Sequence, residues 1–368
     1  MGGSAMSGGV MSGSDGSPTI PVAVLGATGI VGQRLVRMLD GHALFHLEEV
    51  VGSERRAGRH YAGATPWAIG GDPPPGAGAL RLLAPGEPLR SPLVLSALPA
   101  AVAKETELAL ARSGYVVCTN ASAHRMRADT PLIVPEVNGE AISAIAAQPW
   151  SRAGGALVAN PNCVVVGLAM ALAPIQRAFG IESATVVTLQ ALSGAGLSGL
   201  NAVEVAGNVI PGIRGEEEKI GPELNKILEA DIEVSVAVNR VPVLDGHTAH
   251  VFCKLRTPTT HLDAARVLRD FRPRLEPGSL PTLPARPLAV RTEPDRPQPR
   301  LDANAEGGMA VTVGRIRAAS PPHDLALVVG VHNGIRGAAG ACLANAELCL
   351  AHRGAGSLIV RNKDVGDR

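Results

Sequence analysis

The residues best placed to do chemistry lie in Asn160-Pro161-Asn162-Cys163. An apolar run, Ala156-Leu157-Val158-Ala159, precedes them, and a longer one, Val164 to Ala173, follows and ends at Pro174. The pattern reads as strand, tight polar turn and buried helix, with Cys163 in the first helical turn. A helix N-terminus carries unpaired N–H groups and about half a positive charge, a setting that favours a thiolate over a thiol. Cys163 is therefore a candidate nucleophile toward a carbonyl carbon, with neighbouring N–H groups and Asn162 available to hold an oxyanion. A free cysteine is also commonly a small buried hydrophobe, and this stretch alone leaves both readings open.

A second constellation precedes it. The strand Ile20–Leu25 runs into Gly26-Ala27-Thr28-Gly29-Ile30-Val31-Gly32, and a helix follows with Val31, Leu35, Met38 and Leu39 on one side and Gln33, Arg34 and Arg37 on the other. Glycines in such a turn let a pyrophosphate approach the backbone, and the helix N-terminus attracts it. The G-x-x-G-x-x-G spacing departs from the commonest dinucleotide fingerprint, and a plain tight turn is the alternative. After the next strand, His46–Val51, the chain offers Ser53, Arg55 and Arg56 where NAD-specific folds place an acid on the ribose 2′-hydroxyl. Arginines and a hydroxyl suit a 2′-phosphate, so NADP is expected over NAD. Arg125 lies just past a strand end and could bind an anion or sit on the surface. Gln190 through Gly199 forms a glycine-rich turn suited to a cofactor or substrate wall. The acidic run Glu216-Glu217-Glu218 before Lys219 reads, by itself, as a solvated helix start.

The elements that must position these groups alternate strand and helix through Val137, which predicts a doubly wound parallel sheet with ligands at its strand C-termini. Beyond Cys163 strands follow one another with few long helices, which predicts a mostly antiparallel second sheet. The fold class is α/β: an N-terminal Rossmann-type domain plus an α+β domain. The boundaries read as a flexible Gly/Ser tail at 1–18, a cofactor domain at 19–158, a second domain at 159–333, and a C-terminal helix with tail at 334–368 that returns to the first domain. Residues 273–300 are proline-rich and read as irregular.

Composition excludes several classes. With 368 residues, a net charge of +1, 46 % hydrophobic and 18 % charged residues, the chain suits two cored domains and neither a nucleic-acid nor a membrane-surface protein. No apolar run reaches the ~20 residues of a membrane span. The 5 cysteines are irregularly spaced and form no C-x-x-C pair, so no disulfide framework or metal site is indicated, and a reducing cytoplasm fits.

Taken together the motifs resemble those of aspartate-semialdehyde dehydrogenases of the archaeal and fungal type. They are the glycine turn, Ser122-Ala123-His124-Arg125-Met126, Pro131-Leu132-Ile133-Val134-Pro135-Glu136-Val137-Asn138, Asn160-Pro161-Asn162-Cys163 and Gln190-Ala191-Leu192-Ser193-Gly194-Ala195-Gly196. They continue with Gly215-Glu216-Glu217-Glu218-Lys219, Arg240-Val241-Pro242-Val243-Leu244-Asp245-Gly246-His247-Thr248 and His332-Asn333-Gly334-Ile335-Arg336-Gly337-Ala338-Ala339-Gly340. They occur in the family's order across roughly residues 20–352.

The resemblance implies NADPH-dependent reduction of L-aspartyl-4-phosphate to L-aspartate-4-semialdehyde with release of phosphate, the branch-point step toward lysine (through diaminopimelate), threonine, methionine and isoleucine. It makes Cys163 the nucleophile of a thioester, which keeps the carbonyl electrophilic and leaves readily. It makes His247 the acid–base residue, an imidazole titrating near neutrality. It assigns Arg240 to the substrate α-carboxylate, as a bidentate fork can serve, Arg125 and Lys219 to the phosphoryl group, Glu216 to the α-ammonium, and Gln190 to the Cys163 intermediate. Gly26, Thr28, Gly29, Ile30, Val31, Gly32, Ser53, Arg55, Arg56, Ser193, Gly194, Ala195 and Asn333 become cofactor contacts. The second domain becomes a dimerisation domain, in a homodimer or homotetramer. Val164 stands where the family often has Ser or Thr, and its backbone N–H serves equally. A malonyl-CoA reductase on the same fold, an N-acetyl-glutamyl-phosphate reductase with poorer motif fit, and a non-catalytic NADP-binding assembly protein are the alternatives.

Overall fold

The computed structural model describes residues 19–197, 202–275 and 278–354. The expected N-terminal and C-terminal tails and the Ser198-Gly199 end of the glycine-rich turn lie outside them. The strands are β1 (Ile20–Leu25), β2 (Phe45–Val51), β3 (Leu82–Leu83), β4 (Leu93–Ser96), β5 (Val116–Thr119), β6 (Ala156–Ala159), β7 (Ile181–Gln190), β8 (Ile210–Pro211), β9 (Glu233–Arg240), β10 (His247–Leu255), β11 (Leu288–Val290), β12 (Val311–Ala318) and β13 (Leu325–Val331). The longer α-helices are α1 (Ile30–Leu39), α2 (Ala100–Arg112), α3 (Cys163–Phe179), α4 (Glu217–Leu228), α5 (His261–Arg269) and α6 (Gly340–Arg353).

The first sheet has six parallel strands in the order β3-β2-β1-β4-β5-β6. Its strands read as continuous apolar runs because both faces are covered. Val22, Val24, Leu95, Cys118 and Val158 pack against α1 and α6 on one face. Ala23, Leu25, Val94, Val117 and Leu157 pack against α2 on the other. The glycine turn thus opens at the C-terminal edge of a central strand, where such sheets bind ligands.

The second sheet has seven strands in the order β11-β12-β13-β10-β7-β9-β8. β7 pairs with β9, and β11 with β12, in parallel; the remaining pairs are antiparallel. One face lies on α3, α4 and α5 through Val186, Val251, Val313 and Val329. The opposite face, with Thr185, Val187, His250 and Phe252, is only half-buried.

Three local expectations are corrected. α3 does not end at Pro174 but runs through it to Phe179. A helix-interior proline costs about 3 kcal/mol, and here every residue from Val164 to Ile175 is buried, so packing outweighs the lost hydrogen bond. The proline-rich stretch is not wholly irregular, since Leu288–Val290 adds an edge strand beside β12. α4 begins at Glu217, within the acidic run, and carries Pro222 within its first turns. The C-terminal helix is preceded by a π-helical turn, Ile335–Ala339, before α6.

Candidate active site

Cys163 opens α3, and Asn162 caps that helix by accepting the Val164 N–H at 3.0 Å. His247 is the first residue of β10, on a strand wedged between β7 and β13. This register sets its Nε2 3.1 Å from the Cys163 Sγ. The Ala191 N–H donates to Nδ1 at 3.0 Å. A nitrogen that accepts that bond carries no proton, so the neutral ring holds its proton on Nε2 and offers it to sulfur. Burial, with Arg240 and His332 adding to it, pushes the His247 pKa down to about 3, so the ring is neutral at ordinary pH.

The expected thiolate is corrected for the free protein. Burial, then Glu216, push the Cys163 thiol up to about 12, while Arg125, Arg240 and a backbone hydrogen bond pull the other way. Dehydration exceeds what a helix N-terminus offers a sulfur anion. Asn162 braces the turn: its oxygen is committed to the cap and one proton of its Nδ2 goes to Glu216 Oε2 at 2.6 Å, which leaves the second Nδ2 proton for an oxyanion.

A cavity of about 480 Å³ gathers Cys163, Asn162, Gln190, Arg125, Glu216, Lys219 and Arg240 with Gly29, Ile30, Val31, Ser193, Gly194, Ala195 and Asn333. His247 stands behind Cys163, nearly fully buried. Lys219 Nζ and Glu216 Oε1 are 3.1 Å apart, and Arg240 donates to the Ala191 carbonyl at 2.6 Å. The buried Gln190 Nε2 and Arg125 Nε have no hydrogen-bond partner. Unpaired buried donors are costly, and here both belong to residues lining a cavity that an oxygen-rich ligand would fill.

The remaining cofactor candidates sit outside this cavity. Gly26 has φ +69°, and a Cβ there would meet the Ala97 carbonyl oxygen at 2.7 Å; at Gly32 a Cβ would lie 2.2 Å from the Gly26 oxygen. Both positions require glycine, as a turn pressed against a helix start does. Thr28 is buried and accepts from Arg56 Nη1 at 2.8 Å. Ser53 and Arg55 are exposed on the turn after β2. Asn333 ties the walls together, accepting the Gly246 N–H at 2.9 Å and donating to Ser193 Oγ at 2.8 Å.

Comparison with known proteins decides the family. The family model described as "Semialdehyde dehydrogenase, NAD binding domain" matches residues 21–145, and "Semialdehyde dehydrogenase, dimerisation domain" matches 172–336. The aspartate-semialdehyde dehydrogenase of Archaeoglobus fulgidus is 41 % identical over 344 residues, covering 90 % of this chain and 98 % of that protein. The chain belongs to the aspartate-semialdehyde dehydrogenase family. The Trichophyton rubrum aspartate-semialdehyde dehydrogenase is 39 % identical, over 89 % of this chain and 96 % of that protein. The crystal structure of the Candida albicans aspartate-semialdehyde dehydrogenase with NADP superposes with a TM-score of 0.83 at 34 % identity, covering 90 % of this chain and 98 % of that one. Membership makes this chain an oxidoreductase.

Some residues around this dehydrogenase site received no role from the sequence alone. Glu223 and Lys226 approach the site from α4, and only their spacing from Lys219 on one helical face could have pointed to them. Asp245 pairs with Arg34 of α1 at 2.7 Å, joining the cofactor helix to the loop that leads into His247. Gly337 packs against Cys163, where a Cβ would meet the Cys163 Cβ at 2.8 Å.

Proposed function

We propose that this chain reduces L-aspartyl-4-phosphate to L-aspartate-4-semialdehyde with NADPH, releasing phosphate, in the biosynthesis of lysine, threonine, methionine and isoleucine. The observation that carries the reading is a Cys163–His247 contact of 3.1 Å at the floor of a cavity lined by Arg125, Glu216, Lys219 and Arg240. Those side chains complement a ligand that bears a phosphoryl group, an ammonium and a carboxylate. A CoA thioester would leave Glu216 and Lys219 without counterparts, which disfavours a malonyl-CoA reductase.

Arg240 holds the α-carboxylate, Glu216 the α-ammonium, and Arg125 with Lys219 the phosphoryl group. Cys163 attacks the acyl carbon, the sulfur–carbon bond forms, and the bond to phosphate breaks, leaving a thioester. The free amide of Gln190 donates to the carbonyl oxygen as it gains charge. The Cys163 proton passes to His247 Nε2 as sulfur attacks, and the imidazolium returns it to sulfur when the aldehyde departs. To accept a proton at Nε2 the ring must give up the Ala191 contact at Nδ1.

The Gly26–Gly32 turn, Ser193, Gly194, Ala195 and Asn333 would hold NADP, with Ser53, Arg55 and Arg56 beside the 2′-phosphate. NADPH, when bound, supplies the hydride that reduces the thioester. Glycines that tolerate no Cβ and a helix N-terminus on the cavity fit that cofactor, and the Candida albicans relative was solved with NADP.

The chain divides functionally into a cofactor domain through about residue 158 and a catalytic and dimerisation domain after it. The half-buried face of the second sheet supports a homodimer or homotetramer. The unpaired Cys118, Cys163, Cys253, Cys342 and Cys349 support a cytoplasmic setting.

One assay tests the reading. Given aspartate semialdehyde, NADP and phosphate, the protein is expected to form NADPH in proportion to phosphate, with kcat/KM higher for NADP than for NAD. Cys163→Ser is expected to abolish turnover, and His247→Asn to lower kcat by ~10²–10⁴. Phosphate-independent NADPH formation would sink the substrate assignment, and full activity in Cys163→Ser would sink the mechanism.

A further inference from the structure

Arg125 is carried by the loop after β5, in the first sheet's half of the molecule, yet the contacts that orient it come largely from α4, which packs on the second. Its Nη1 donates to Glu223 Oε1 at 3.0 Å and its Nη2 to the Asn120 carbonyl at 2.8 Å. With one proton of each Nη tethered, the guanidinium keeps its unpartnered Nε–H and a second proton on each Nη. Glu223 is 1 % exposed, and its other oxygen accepts the Asn162 N–H at 2.6 Å. One carboxylate thus touches both the anion-site arginine and the backbone next to the nucleophile.

One turn further along α4, Lys226 Nζ donates to the carbonyls of Arg125, Arg127 and Thr130 at 2.8, 2.7 and 2.9 Å. An ammonium has three protons, so Lys226 is saturated by the main-chain oxygens of Arg125 and of two residues that follow it. Lys219, Glu223 and Lys226 are spaced four and three residues apart, which stacks them along one helical face.

We propose that Glu223 and Lys226 are positioning residues for phosphate: α4 presents Lys219 to the phosphoryl group directly and, through Glu223 and Lys226, fixes where Arg125 meets it. This rests on the reading of Arg125 as a phosphoryl ligand. Neither residue touches the substrate. Both act through Arg125, Glu223 also through the Asn162 N–H, so the loss of Lys226 should fall on phosphate affinity and spare the other substrates.

The test is steady-state kinetics of the full chain in the oxidative direction, with inorganic phosphate as the varied substrate. Arg125→Ala comes first; an unchanged KM for phosphate there would remove the underlying reading, whatever α4 does. With that reading intact, Lys226→Met is expected to raise the KM for phosphate by ~10-fold or more, on the scale set by small misplacements of binding groups. The KM values for aspartate semialdehyde and NADP should move less than about twofold.

Adding Lys226→Met to Arg125→Ala should produce no further rise, since residues acting through one group are non-additive. Independent, multiplying effects would overturn the proposal, as would an unchanged phosphate KM in Lys226→Met with an unchanged melting temperature. Should Lys226→Met fail to fold, Glu223→Gln replaces it. Glutamine carries no charge, so the charge-assisted bond to Arg125 is weakened whichever way its amide turns, and a rise in the phosphate KM is expected. A Glu223→Gln enzyme with wild-type phosphate KM would overturn the proposal.

Discussion

The surroundings of Cys163 oppose its anion. Its thiol is pushed up to about 12 by burial first and by the Glu216 carboxylate second. That second contribution is the charge of one side chain, and Glu216→Gln removes it. Removing a negative charge favours the thiolate, so the thiol pKa falls and the pH profile of Cys163 alkylation by iodoacetamide should shift to lower pH. At a fixed pH below the midpoint the rate should rise by ~3- to 10-fold, since one pKa unit is tenfold in thiolate. An unshifted profile would show that Glu216 does not control the thiol. His247 adds no acid limb near 6.5 to that profile, because burial keeps its pKa down near 3.

The elements explain why the nucleophile stays in place. α3 starts where Asn162 caps it, and the π-helical turn Ile335–Ala339 presses Gly337 onto that start. Gly337→Ala would put a methyl group 2.8 Å from both the Cβ and the carbonyl oxygen of Cys163. Overpacking of this kind costs about 1–3 kcal/mol. The expected result is a lower melting temperature together with a fall in kcat larger than Ala substitution at an exposed helix position produces; unchanged kcat would show that the turn does not locate the nucleophile. Much of this frame was legible. Alternating apolar runs gave both sheets, and the glycine turn and the Asn-Pro-Asn-Cys turn stand where their flanking strands and helices predicted. Pro174 misled because a local rule for ending helices yielded to burial along the whole of α3. Glu223 and Lys226 were illegible because their partners are Arg125 and main-chain oxygens 96 to 101 residues upstream, and main-chain oxygens have no sequence signature. The Asn162–Glu216 contact was hidden for a similar reason, its two ends lying 54 residues apart in the chain.

At the scale of the molecule the two halves are held together by buried charge as well as by apolar packing. Arg336 is 1 % exposed and forms a two-pronged pair with Glu136 at 2.8 and 2.7 Å, which anchors the turn beside Cys163 to the Pro135–Asn138 helix. From there α6 crosses back to lie on the first sheet, where Cys342, Leu343, Leu348 and Cys349 share a core with Val22, Leu95 and Val158. Each fully buried leucine is worth about 1.5–3 kcal/mol, against a total stability of roughly 5–15 kcal/mol for a typical domain. A chain stopped after residue 339 is therefore expected to aggregate and to lose NADP binding, although it retains the glycine turn and every residue of the first sheet. Saturable NADP binding by that fragment would show that α6 is dispensable. The same connection sets an order in time. The strands of the first sheet have all been synthesised by residue 159, and those of the second by residue 331, but the first sheet must wait for residues 340–353 to cover one of its faces. The half of the protein that the ribosome begins is the half it finishes last, and through all the intervening synthesis that apolar face has to be kept from other chains.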